Sequence, residues 1–142
     1  MTRAFVYDEQ AHVVRMGRTV NEARGESGVT LPMSPYSRDA LAALFYARTL
    51  PLDPGSRVRI PVNEAGRNAV VELAVGSPER IEVDGKTTEA LRVTPTIERR
   101  VDDRRPILAT IWLSQDRRRV PVVLELEAAF GRVRVELVGY RP

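Results

Sequence analysis

The sequence contains no cysteine, one histidine and one lysine, and each scarcity closes a class of chemistry. Without cysteine there is no disulfide framework, no thiolate nucleophile and no thiolate metal site. The compartment stays open, because exported domains also lack cysteine. His12 is the single imidazole, so every histidine-based triad or zinc site would have to run through it, and its apolar and β-branched neighbours make it read as a strand residue. Long apolar runs are missing too: no window approaches the roughly 18 apolar residues of a membrane span. The opening "MTRAFVYDEQ" has neither the apolar core nor the small-residue cleavage site of an export signal. The nine glycines form no phosphate-cradling cluster. "GESG" at 25 to 28 lacks the spacing and flanking strand of a nucleophile elbow. Asp102 and Asp103 with Glu98 lack the alternating ligands and glycine turn of a calcium loop. No catalytic residue, metal site or cofactor is expected.

What is present is enough for one domain spanning 1 to 142: of the 142 residues, 43% are hydrophobic, sufficient to build a core without staples. Residues 3 to 8 and 12 to 16 are β-prone runs joined at "DEQA", and 17 to 34 carries few apolar residues and no period, which reads as a long loop. A helix follows in "SRDALAALFYART", 37 to 49, with Ser34 or Ser37 as cap, Pro35 suited to a first helical position and Pro51 closing it. From Arg57 onward the period is two. Val58, Ile60 and Val62 alternate with polar residues, a strand covers 68 to 76, and "IEVDGKT" contains Asp84-Gly85, the strongest two-residue hairpin signal in the chain. A strand through Leu91 and Val93 comes next, with Pro95 marking a bulge or an edge. Strands at 107 to 114, 120 to 128 and 132 to 140 complete the pattern. Eight or nine strands with short turns and one helix predict an α+β fold, mostly β: a curved antiparallel meander, half-barrel-like, with the helix packed on its concave face.

Charge is unevenly placed. Lys86 is one of 22 basic residues, which leaves 21 arginines, and so uniform a preference reads as a codon habit that discounts any single arginine run. Residues 98 to 119 hold seven arginines against Glu98, Asp102, Asp103 and Asp116, a net +3; the remaining 15 bases and 15 acids cancel. The whole excess therefore lies in "ERRVDDRR" and "QDRRR". Acids interleave with the bases in both, and Trp112 lies inside an apolar strand rather than beside the arginines, so a nucleic-acid surface is not expected. Arg117, Arg118 and Arg119 stand where Ser114, Gln115, Asp116 and Pro121 require a chain reversal, which predicts a solvated hairpin tip.

Three stretches, "ALAALFYARTLPLDPGSRVRIPV" at 41 to 62 (with Ala40 before it), "TTEALRVTP" at 87 to 95 and "IWLSQDRRRVPVVLELEAAFGRVRVELVGY" at 111 to 140, together resemble the bacterial family known as domain of unknown function 3108. The spacing of Trp112, Ser114, Asp116, Arg118 and Pro121 with terminal Glu136-Leu137-Val138 carries the likeness, over residue 39 to the end; Phe130-Gly131-Arg132 departs from the family pattern. The resemblance implies a curved antiparallel sheet, a cell-envelope and usually periplasmic setting, and no known reaction. It also implies export signals and further strands ahead of the equivalent of "RAFVYDEQAHVVRM", so the chain is expected to begin in mid-domain, to expose a strand edge near residues 3 to 8 and to homodimerise through it. Three functional readings follow, the last of them an enzyme, which would need a cavity with converging polar groups of perturbed pKa. In the first, a non-enzymatic envelope protein holds a lipid, a lipoprotein acyl chain or another apolar guest against Leu41, Leu44, Phe45, Tyr46 and Trp112, although the same five residues can simply form core. In the second, an interaction module uses sheet edges and Arg99, Arg100, Arg104, Arg105, Arg117, Arg118 and Arg119 to bind a partner protein or an anionic envelope surface. A transmembrane role is not expected.

Overall fold

A computed structural model describes residues 2–19, 28–64, 66–98, 108–128 and 130–139. Among these lie nine strands and one helix in two antiparallel sheets. The first sheet has three strands, β1 (Thr2–Asp8), β2 (Val13–Thr19) and β3 (Val29–Pro32), in that order. The second is a six-stranded meander of β4 (Arg57–Glu64), β5 (Arg67–Val83), β6 (Lys86–Glu98), β7 (Leu108–Ser114), β8 (Pro121–Ala128) and β9 (Gly131–Glu136). The helix α1 (Ala40–Ala47) stands between the sheets in sequence and packs on β4. The fold is thus α+β and mostly β, as the period-two patterning predicts.

The reading of 17 to 34 as loop is corrected at both ends. β2 continues to Thr19, and Val29–Pro32 pairs with it as β3. A four-residue strand with one half-buried apolar side chain, Leu31, has almost no pattern of its own; the ladder on β2 holds it. His12 is likewise not in a strand. It is exposed, at φ 52° in the turn between β1 and β2, where the Asp8 carboxylate accepts from Ala11 N at 2.9 Å.

The helix cap also moves. Asp39, not Ser34 or Ser37, accepts from Ala42 N at 2.8 Å, and the helix begins at Ala40. The segment before it is engaged elsewhere: Arg38 N donates to Pro61 O at 3.2 Å and Asn63 N to Arg38 O at 2.8 Å, covering the outer edge of β4. Pro61 sits in that edge strand, where a missing N–H disrupts no ladder. On the helix the small residues Ala43 and Ala47 are the buried ones, which lets α1 lie close on the sheet. They join a core of Leu52, Ile60, Val62, Leu73, Val75, Leu91, Val93 and Leu113.

The other face of the meander has its own cluster, made of Val83, Ala90, Trp112 and Val123. A bulge allows one strand to serve both faces. Between Val75↔Val93 and Pro78↔Leu91, β5 advances three residues while β6 advances two. The extra residue inverts the alternation, so Val71, Leu73 and Val75 face the helix-side core whereas Ile81 and Val83 face the Trp112 cluster. Segments 68 to 76 and "IEVDGKT", expected as separate strands, are therefore one 17-residue strand. Asp84 and Gly85, at φ 49° and 69°, close its hairpin as a two-residue turn with both φ positive. The arm then curls across the sheet: Asp84 N donates to Glu136 Oε2 at 2.9 Å and Arg134 Nη2 to Glu82 O at 2.7 Å. In a flat sheet β5, which carries Glu82, and β9, four strands apart, would be roughly 19 Å from each other. Those two hydrogen bonds require strong curvature.

Candidate functional site

The β7–β8 turn is built from its own polar residues. Ser114 N donates to Val120 O at 2.8 Å, Val120 N to Ser114 Oγ at 2.8 Å, and Ser114 Oγ to Asp116 Oδ1 at 2.7 Å. Arg118 Nε reaches Asp116 Oδ2 at 3.1 Å, and Arg119 N donates to Asp116 O at 3.1 Å. The Ser114 hydroxyl, with Arg118 and the Arg119 amide adding to it, holds the Asp116 carboxyl below the usual carboxylate range. Arg119 takes φ 45°, which turns its side chain out of the hairpin line.

That side chain leads to the helix, and the hairpin is not a free solvated tip. Arg119 Nη1 donates to Leu50 O, just beyond α1. In the reverse direction Arg48, the C-terminal cap residue of α1, donates from Nε at 3.1 Å and Nη2 at 2.7 Å to Arg118 O. Helix end and hairpin tip clasp each other through two guanidiniums, each bonded to a neutral carbonyl. Between them lies an open groove of about 810 Å³ lined by Phe45, Arg48, Thr49, Leu50, Pro51 and Arg117 to Arg119. Among the described residues, four arginines and no acid line it. Asp116, just outside, pairs with Arg118; Arg117 makes no hydrogen bond or ion pair with another described residue. The groove is strongly positive, and a cation beside the Phe45 ring, with Arg48 5.4 Å from its centroid, gives it one aromatic wall.

The sequence-predicted residues divide. Arg117, Arg118 and Arg119 come together with Phe45 in the groove. Leu41, one turn before Phe45 on the same helical stripe, is 65% exposed, and Phe45 is 53% exposed. Leu44 is half-buried, and Tyr46 packs on the helix-side core with Arg38 stacked over its ring at 3.8 Å. Trp112 belongs to the opposite face, 8% exposed under the curled hairpin arm, its indole N–H donating to Glu79. The five apolar candidates thus do not meet around one cavity. Arg99, Arg100, Arg104 and Arg105 lie outside the described residues, as do Asp102 and Asp103. Sequence reasoning missed Arg48; a cation at the end of a helix, three residues after an aromatic, was the available signal. No three His, Cys, Asp or Glu side chains gather among the described residues.

A family model described as "Protein of unknown function (DUF3108)" matches residues 2–138. The chain belongs to this family. The match takes in β1 to β3 as well as the stretches from residue 39 onward, so domain of unknown function 3108 here includes the three-stranded sheet as well as the meander. No curated protein and no solved structure matches the chain.

Proposed function

We propose that this member of the family is a non-enzymatic interaction module that docks on an anionic lipid surface of the cell envelope through the α1–hairpin groove. The observation that carries the reading is the convergence of Arg48, Arg117, Arg118 and Arg119, with no acid among the described lining residues, beside the outward-facing Leu41 and Phe45. Cations next to exposed apolar and aromatic side chains match a headgroup layer, where phosphates take the charge and the upper acyl region takes the apolar contacts. Helix and hairpin hold the guanidiniums of Arg48, Arg118 and Arg119 in place before any ligand arrives, which lowers the ordering cost of binding. A sequestered acyl chain would need Leu41, Leu44, Phe45, Tyr46 and Trp112 around one space, whereas they are spread over two faces. Acid–base catalysis would need a group tuned toward neutral pH, and among the described residues the clearly displaced groups move the other way: Asp8, Asp116 and Glu136 downward and Arg134 upward. The envelope setting rests on the setting the family resemblance implies.

Vesicle co-sedimentation tests this. Binding is expected on phosphatidylglycerol vesicles and not on phosphatidylcholine vesicles, and it should weaken steeply between about 50 and 300 mM salt, as the Debye length falls from roughly 14 Å to roughly 6 Å. Arg117→Glu, at a position with no bond to break, should lower affinity roughly tenfold or more, since each cation near an anionic membrane contributes about 1 kcal/mol. Equal retention on neutral vesicles, or an unaffected R117E variant, overturns the proposal.

A further inference from the structure

The outer edge of β9 is unpaired among the described residues, while its inner edge is laddered to β8. The pairing Leu124↔Val135 and the bond from Leu137 N to Val122 O show which residues turn inward: 133, 135 and 137 bond toward β8, and the N–H and C=O groups of 132, 134 and 136 point outward. Edge charges are the usual protection against strand addition. Here their order does the reverse. The strand reads Gly-Arg-Val-Arg-Val-Glu from 131 to 136.

We propose that β9 pairs antiparallel with β9 of a second copy, centred on Arg134. This register sets Arg132 opposite Glu136 twice and Val133 opposite Val135 twice, and it makes 132, 134 and 136, the residues with outward backbone groups, the hydrogen-bonding set. Slipping one strand by a single residue breaks that parity; centring on Val133 sets Arg132 against Arg134, and centring on Val135 leaves Arg132 opposite Val138 and sets Arg134 against Glu136, which already bond each other within each copy at 2.7 Å. The like charges at the centre are already engaged: each Arg134 donates to Glu125 at 2.8 Å, Glu136 at 2.7 Å and Glu82 O at 2.7 Å. Val135, 53% exposed, gains a partner in the neighbour's Val133. Antiparallel strands are related by a two-fold axis normal to the sheet, so the Val133–Val135 rows of both copies share one face. Those valines are on the same face as Ile111 and Leu124, the helix-side face. Both helices therefore lie on one side of a continuous sheet.

The chain lacks cysteine, which allows a register-specific test. In the proposed ladder 133 and 135 form a non-hydrogen-bonded pair with Cα atoms roughly 4.5 Å apart, within disulfide range. Full-length Val133→Cys and Val135→Cys proteins, oxidised as a mixture, should give a covalent heterodimer of the two variants by intact mass. Either variant alone should give at least tenfold less covalent dimer. No cross-link in the mixture, or cross-linking of one variant alone as fully as the mixture, overturns the proposal. Because valine and cysteine are close in size, and a circular dichroism melt reports folding, failure to pair is separable from failure to fold.

Discussion

Three adjacent arginines play three roles. Arg119 is structural, through Leu50 O; Arg118 is held by Asp116 and offers its carbonyl to Arg48; Arg117 alone projects without a bond to a described residue. The run was visible in the sequence, but this division was not, because the partners Arg48 and Leu50 lie 70 and 69 residues away. Asp116 organises the turn as an anion, and its lowered pKa fixes the sign of a pH effect. A carboxyl whose folded pKa is depressed adds stability above its unfolded value, about 3.9, and that contribution disappears as pH falls through the folded value. Amide chemical shifts of Arg119 and Val120 should therefore move on titration from pH 6 to pH 2, and in Asp116→Asn they should stay flat. A wild-type hairpin insensitive to acid would show that the carboxylate does not order it.

At the scale of elements, local signals were reliable where a residue type has one structural use. Asp84-Gly85 closed a hairpin, and the alternation in the last three strands gave β7, β8 and β9, although β9 ends at Glu136, short of the expected 140. Prolines were informative too: Pro95 lies in the part of β6 beyond its pairing with β7, and Pro78 and Pro121 sit beside bulges. The face switch in β5 was not legible, because the apolar residues Val71, Leu73, Val75, Ile81 and Val83 keep odd positions throughout and only the register against β6 shows that they divide. That switch has a mechanical consequence. Deleting Ser77 removes the extra residue and turns Ile81 and Val83 to the helix-side face, stripping two side chains from the Trp112 cluster. The deletion should cost more than one core truncation, about 2–5 kcal/mol, in urea unfolding. Trp112 is the sole tryptophan, so its emission should shift to the red as water enters its cluster. Unchanged emission in a folded deletion variant would mean that the hairpin arm covers Trp112 without the bulge.

The whole molecule depends on a junction that no periodicity announces. The three-stranded sheet meets the meander where Asn68 receives Ser34 N at 2.9 Å, receives Asn63 Nδ2 at 2.9 Å and donates to Pro32 O at 3.2 Å. Asn63 is fully buried, its carbonyl oxygen taken by Gly66 N at 2.9 Å, and Gly66 leaves space that Leu31 fills, since a Cβ there would lie 2.1 Å from Leu31 Cδ1. In the sequence this junction is only "NEAGRN", a turn between strands; its linkage to residues 31 to 34 arises from tertiary placement. Three short strands whose fully buried side chain is Val14, with Met33 buried just beyond β3, are marginal by themselves. Asn68→Ala removes two junction bonds worth about 1 kcal/mol each and leaves the buried Asn63 donor unmet, a further cost of about 1–3 kcal/mol. The loss should fall on the smaller sheet. Hydrogen exchange should show β2 and β3 amides losing protection by roughly a hundredfold while β5, β6 and β7 keep theirs, because the core around Ile60, Leu73 and Leu113 does not include Asn68. Uniform loss across both sheets would instead make the two sheets one cooperative unit, with the junction as part of a single core.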